Sequence, residues 1–147
     1  MQSTVEILTE ITALNARFAW LVDHHGGVGV PELFEEDGIY GYVDGGKLVG
    51  REAIEDFYIQ RRARAHRKSR HVFTNTVLTD VHAPEVRGIT ILTLFAYEHP
   101  VESNPLPILV SDYHDRYIWS EESGWRYRSR LVAPVFGKPP QLPGKFT

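Results

Sequence analysis

The sequence predicts an α+β fold, one curved antiparallel sheet covered on one face by three helices. Three observations carry that expectation. Apolar residues recur with helical period near the start of the chain and with strand alternation towards its end. Four long alternating segments close the chain, and strands of that length in one sheet must curve. A chain of 147 residues, 42% hydrophobic and 24% charged, suits one soluble domain with a single core. We read residues 1–136 as that domain and 137–147 as an extended tail rich in Pro and Gly.

Ser3 and Glu6 have capping-box spacing, and Ile7, Ile11, Leu14, Phe18 and Leu21/Val22 follow at helical intervals. This first helix should end near Asp23-His24-His25-Gly26-Gly27, where the two histidines complement its C-terminus. Pro31 suits the first turn of a short second helix, PELF. GIYGYVD reads as a strand, turned by Asp44-Gly45-Gly46-Lys47 into KLVG. A third helix is expected over 51–66, with acids near its start and cations near its end. The closing strands are expected at 71–82, 86–99, 108–120 and 125–136.

Charge and motifs narrow the function classes. Residues 61–70 hold six of the 16 Lys and Arg and no acid, so the rest of the chain carries 10 bases against 19 acids. One short basic run is a narrow footprint for a nucleic-acid binder, and a solvated helix end is the simpler reading. A basic rim that attracts an anionic substrate is the alternative. No cysteine occurs, which fits a reducing cytoplasm and excludes thiolate chemistry. The first helix carries Glu6 and Glu10 among its apolar residues, so neither a signal peptide nor a membrane span is expected. There is no glycine-rich phosphate loop, nucleophile elbow or local metal-ligand spacing, so no cofactor and no metal are expected.

The ordered set LVD, LFEEDGIY, VGREAIEDF, RHVFTN and SGWRYRSRLV resembles the SnoaL-like branch of the NTF2-like superfamily over roughly residues 5–133. The resemblance implies a cone-shaped, cystatin-like α+β fold whose curved sheet wraps round a pocket covered by helices. Members of that superfamily include ketosteroid isomerases, scytalone dehydratase, bile-acid 7α-dehydratase, hexachlorocyclohexane dehydrochlorinase and polyketide cyclases. They also include non-catalytic β subunits of ring-hydroxylating dioxygenases. Asp23 and His71 are similar in position and separation to the dehydratase and dehydrochlorinase dyad, which implies a histidine base oriented by an aspartate. The resemblance further implies an assisting role for Tyr42 and pocket positions for Arg130 and Tyr113. Phe18 stands where the bile-acid enzyme would call for a tyrosine. With Tyr40 and Phe73 it completes the candidate substrate contacts.

The residues themselves leave alternatives open. A neutral imidazole is the one unperturbed side chain that exchanges a proton near pH 7, and a buried carboxylate would fix its tautomer. The structural alternative is a His–Asp hydrogen bond that only ties the first helix to the sheet. Tyr40 and Tyr42 share a strand face, where a hydroxyl either polarises a substrate or sits at the rim of the core. Arg126, Arg128 and Arg130 alternate on one face of the last strand, normally a solvent face, unless a bulge swaps the faces. Asp115-Arg116 reads as an exposed or intersubunit ion pair, and His114 as a residue that could reach the pocket.

The expected function is therefore a cofactor-independent lyase. It would eliminate water from a small hydrophobic cyclic substrate, with Asp23–His71 as general base. An isomerase or cyclase using the same dyad, or a non-catalytic binding or structural subunit, are the alternatives. No nucleic-acid or membrane partner is expected. The resemblance implies a homo-oligomer, dimer or trimer, through the outer sheet face, for which Tyr113, Tyr117, Trp119 and Trp125 would supply apolar surface.

Overall fold

The computed structural model describes residues 1–64, 67–97, 106–139 and 142. Helix α1 (Thr4–His25) starts at the expected capping box, with the Glu6 N–H donating to Ser3 Oγ and the Ser3 N–H to the Glu6 carboxylate. Its stripe of Ile7, Ile11, Leu14, Asn15, Phe18 and Val22 is buried. A one-turn 3₁₀ helix (Pro31–Leu33) replaces the expected PELF helix, because Phe34 is already extended and opens β1 (Phe34–Tyr42). β2 (Lys47–Val49) and α2 (Arg51–Ala63) follow, and then β3 (Lys68–His82), β4 (Glu85–Tyr97), β5 (Leu109–Ser120) and β6 (Gly124–Gly137). Of the expected helix over 51–66, residues 65–66 lie outside the described residues, as do 98–99 of the second long strand. Most of the tail lies there too, although Gly137 belongs to β6 and Leu142 packs into the core.

The six strands form one curved, unclosed sheet in the order β2-β1-β6-β5-β4-β3. Four of its five pairings are antiparallel, and β1 runs parallel to β6, with Tyr40 opposite Arg130. Helix α1 packs on β3 and β6, and α2 on β1 and β2. The main core joins the α1 stripe to Phe34, Tyr58, Tyr117 and Tyr127, and a smaller cluster lies around Leu92, Leu94, Leu109 and Tyr113. Among the described residues no helix is long and apolar enough to cross a membrane.

Two expectations about faces change. β6 shifts register between Ser129 and Tyr127, so Arg128 is the extra residue of a bulge. Arg128 is exposed while Arg130 is fully buried, so Arg130 does not share a solvent face with Arg126 and Arg128. The strand period also puts Tyr113, Tyr117 and Trp125 inside, so they supply no outer surface for an oligomer.

The end of α1 depends on two glycines. Gly26 adopts the left-handed conformation (φ 60°), and the Gly27 N–H returns to the Leu21 carbonyl at 2.9 Å. A Cβ on Gly27 (φ 85°) would lie 2.1 Å from the Tyr58 ring. Gly27→Ala is expected to destabilise the protein by at least about 2 kcal/mol, from backbone strain plus the forced retreat of Tyr58. Urea unfolding checks this, and a loss below about 0.5 kcal/mol would mean that the turn relaxes freely.

Candidate active site

Asp23 lies in the last turn of α1 and His71 is the fourth residue of β3. The glycine turn ends α1 beside that strand, which lets the carboxylate meet the imidazole. His71 Nδ1 lies 2.6 Å from Asp23 Oδ1, the His71 backbone N–H donates to Oδ2 at 2.8 Å, and Ser69 Oγ–H donates to Oδ1 at 2.8 Å. Arg61 Nη2 in turn donates to Ser69 Oγ at 3.1 Å. With three donors converging on it, the carboxylate is the acceptor, so Nδ1 carries the proton and Nε2 keeps its lone pair. The two side chains are 5% and 9% exposed. Phe18 and Phe73 pack against the imidazole with ring centroids 6.5 and 6.3 Å away.

Electrostatics agree with a neutral base. Burial pushes the His71 imidazole below its ordinary value, and the Asp23 carboxylate only partly restores it. Burial would raise the Asp23 carboxyl, but hydrogen bonding and charge from His71, with Ser69, hold it below its usual value. Both shifts favour acid lability. The unfolded chain takes up the His71 proton first, so stability falls as pH drops through 6.5 towards the lower folded value. The Asp23 contribution, complete above 3.8, is lost on further acidification. His71→Gln should remove the slope in unfolding free energy just below pH 6.5, measured by denaturant titration against pH. An unchanged slope would assign it to other groups.

His71 lines a groove between α1 and edge strand β3, with a cavity volume of about 380 Å³. That is within the range of small-molecule sites. Asn15, Ala16, Trp20, Asp23, Phe73 and Thr76 are among its other walls. Trp20, 57% exposed, stacks on His24 with ring centroids 4.1 Å apart. Sequence reasoning missed Trp20 and Ser69. The signal for Trp20 was its place on α1 one turn before His24, outside the core stripe.

The inner hollow of the sheet is much smaller. Its cavity of about 50 Å³ is lined by Tyr40, Tyr42, Leu94, Leu109, Tyr113 and Leu142, among others. That is room for about one or two waters. Tyr42 and Tyr113 therefore line a different space from His71. Phe73 lines the groove and packs against Tyr113 at 5.2 Å, which makes this ring pair the wall between the two. Burial raises both tyrosine hydroxyls above their ordinary value, so they stay protonated. Phe18 is fully buried and meets Phe34, Tyr40, Phe73 and Tyr127 edge-on.

Arg130 lies behind those rings. Its Nε and Nη2 bond Asp115 at 3.0 and 2.9 Å, and Nη2 also donates to Asn15 Oδ1 at 2.6 Å. The Tyr117 hydroxyl completes Asp115, and the Tyr127 hydroxyl donates to Asn15. The guanidinium carbon is 4.3–4.8 Å from the ring centroids of Phe18, Phe73, Tyr113 and Tyr127. Burial opposes the guanidinium charge, but Asp115 outweighs it and holds the group cationic. Nη1 is buried and makes no hydrogen bond among the described residues. Asp115 is thus a core residue and not an exposed or intersubunit partner, and Arg116 pairs with Glu85 instead. His114 is exposed on the opposite strand face from Tyr113 and does not reach either cavity. Among the described residues no group of three His, Cys, Asp or Glu could hold a metal ion.

A family model described as a SnoaL-like domain matches residues 3–131. None of the curated proteins matches the chain. Three similar solved structures come from Novosphingobium aromaticivorans. A protein assigned as the β subunit of an aromatic-ring-hydroxylating dioxygenase is 20% identical, with 95% of this chain and 97% of that one covered and a TM-score of 0.80. An NTF2-like protein with a cystatin-like fold is 22% identical, with 94% of each chain covered and a TM-score of 0.71. A protein assigned as a scytalone dehydratase is 16% identical, with 88% and 84% covered and a TM-score of 0.74. At these identities the likeness is one of fold.

Proposed function

The chain belongs to the SnoaL-like domain family, and within it we propose a cofactor-independent lyase whose general base is His71. The family includes polyketide cyclases and dehydratases. The observation that carries the proposal is the buried pair of His71 and Asp23, with Nδ1 2.6 Å from Oδ1 and the imidazole on the wall of a groove large enough for a small cyclic molecule. In this reading Nε2 takes the proton from a carbon next to an activating carbonyl of a hydrophobic ring substrate. The released electron pair forms the carbon–carbon double bond, and the hydroxyl on the neighbouring carbon leaves. Asp23 stabilises the imidazolium that forms.

Tyr42 is the proposed donor to the departing hydroxyl, which leaves as water, and the imidazolium then returns its proton to the tyrosine. This role requires the Phe73 ring to swing away from Tyr113 so that the substrate spans both cavities. Phe73 is then a direct contact, with Tyr40 and Tyr113 beyond it. Arg130 Nη1, which still has a hydrogen to donate, faces the developing oxyanion, and Phe18 supports these groups from behind. A double-bond shift or ring closure shares the same first step. We place the activity in the cytoplasm, consistent with a cysteine-free chain, and in a dimer or trimer. The exposed Val72, Val77, Val135 and Phe136 are the apolar surface that such contacts would cover.

One observation favours a second reading, a non-catalytic binding or structural subunit. The inner hollow is filled by the protein's own rings, and Phe18 supplies no hydroxyl. The discriminating experiment offers β-hydroxy ring ketones to the purified protein, with no metal or cofactor added. The lyase reading expects a conjugated product, seen by ultraviolet absorbance and by the mass lost as water. Quenching of Trp20 fluorescence with the ligand recovered unchanged would instead support the binding reading.

A further inference from the structure

The α1–β3 groove has a polar end away from the dyad. Asn15 lies eight residues before Asp23 on α1, about 12 Å of helix. Thr76 lies five residues beyond His71 on β3, about 13 Å of strand once a bulge between them is discounted. Both side chains line the groove. The bulge is what brings Thr76 there. β3 shifts register between Thr74 and Val77, so Asn75 and Thr76 together oppose Thr90 of β4. Asn75 absorbs the extra residue in the left-handed conformation (φ 53°) and is exposed. His71 and Phe73 alternate onto the groove, and strict alternation would put Asn75 next. The bulge turns Thr76 inward in its place.

The hydrogen bonds behind Thr76 run in one direction. Arg130 has donors only, so the Asn15 atom that meets it at 2.6 Å is Oδ1, and the amide nitrogen faces the other way. That nitrogen donates to Thr90 Oγ1 at 3.2 Å, and Thr90 Oγ1 lies 2.9 Å from Thr76 Oγ1. Thr90 is fully buried, and its hydroxyl has no other acceptor among the described residues. The Thr90 proton therefore goes to Thr76, which leaves the Thr76 proton for an occupant of the groove. A chain that begins on a guanidinium polarises each donor after it, so this last O–H donates more strongly than an isolated threonine. The other groove hydroxyl, that of Thr12, is spent on the Leu8 carbonyl at 2.7 Å.

We propose that Thr76 is a specificity-determining residue of the groove, its hydroxyl donating to a carbonyl oxygen at the end of the bound molecule away from the dyad. Ala16, Ala19 and Phe73 wall the space between and suit an apolar body. Strand side chains stand nearly perpendicular to the sheet, so the separation of the two residues carries over to Nε2 and Oγ1. A single ring reaches only one of them. The proposal rests on the reading of the groove as a substrate site. It names the substrate class as an extended apolar ring compound whose carbonyl is remote from the proton that His71 removes.

The probes are 2-acetylnaphthalene and 2-isopropenylnaphthalene, which share one shape and differ in whether an oxygen or a methylene ends the side group. Equilibrium dialysis of each against the purified protein measures what that oxygen contributes. The ketone is expected to bind saturably and about tenfold tighter than the alkene, against the order that hydrophobicity alone would give. Thr76→Val keeps the shape without the hydroxyl and should bring the ratio below about twofold, whereas Thr76→Ser should keep it at about tenfold. Thr76 is only half-buried and sits on an edge strand, so circular dichroism should report intact folds for both variants. Three results would overturn the proposal: no saturable binding of the ketone, equal affinity for the two probes on the wild type, or a preference that persists undiminished in Thr76→Val. The ratio is expected to survive His71→Gln. A ketone preference without turnover of any ring ketone thus counts against the lyase alone, and turnover without the preference counts against Thr76 alone.

Discussion

Replacing His71 with glutamine is expected to lower kcat on a ring substrate by about 10²–10⁴-fold, the range that a positioned general base supplies. Glutamine keeps similar bulk and an N–H for Asp23, so circular dichroism should report an unchanged fold. Asp23→Asn tests the orienting half of the pair. An amide offers one acceptor oxygen where the carboxylate now receives three donors, from the imidazole, the His71 backbone and Ser69. The imidazole is then free to take the other tautomer, and activity should fall by about 10²-fold or more. Kinetics on both purified variants decide the matter. Activity within tenfold of the wild type in His71→Gln would remove the histidine from the mechanism and leave the Asp–His pair as a tie between α1 and β3.

Arg130→Met is expected to cost about 3–5 kcal/mol of stability, because it strands the Asp115 carboxylate in the core. Arg130 and Asp115 are both wholly buried as side chains, and no solvent reaches either. The guanidinium also fills the space among four aromatic rings, so its loss removes contacts as well as charge. Asp115→Leu alone should be comparably harmful, since it leaves the cation with Asn15 as its one polar partner among the described residues. The double variant should recover much of the loss, because removing both charges removes the desolvation cost together with the attraction. Guanidinium chloride unfolding of the four proteins gives the coupling energy directly. A double variant as unstable as the sum of the singles would mean that packing dominates and charge does not.

The contrast between these residues shows what the sequence made legible. The first helix was readable from its cap at Ser3 to the stretch in which it ends, because Ser3, Glu6 and the glycine pair are local signals that need no tertiary partner. Asp23 and His71 were readable only through the family resemblance, since nothing local says that two residues 48 positions apart will meet. Ser69 escaped notice because it lies inside the basic run, where charge masked the start of β3. Arg130 was assigned to alternative faces because strand alternation has period two and the bulge at Arg128 shifts that period by one. The aromatic residues of β5 and β6 were read as outer surface for the same lack of a face marker. Of these, Tyr113, Tyr117 and Trp125 turned out to be buried inside. The small volume of the inner hollow was not legible, because it depends on how several rings interlock.

The parallel pairing of β1 with β6 constrains when this protein can finish folding. β3 to β6 are each joined to the next in sequence and pair as a meander, so they can assemble by closing short loops. β1 has to wait for a partner ninety residues downstream, Tyr40 beside Arg130. During synthesis α1 and the β1–β2 hairpin are made before β3 to β6, so α1 meets its main neighbour, β3, well before β1 meets β6. The Asp23–His71 contact spans 48 residues and can form with β3, whereas β1 stays an unpaired edge until β6 arrives.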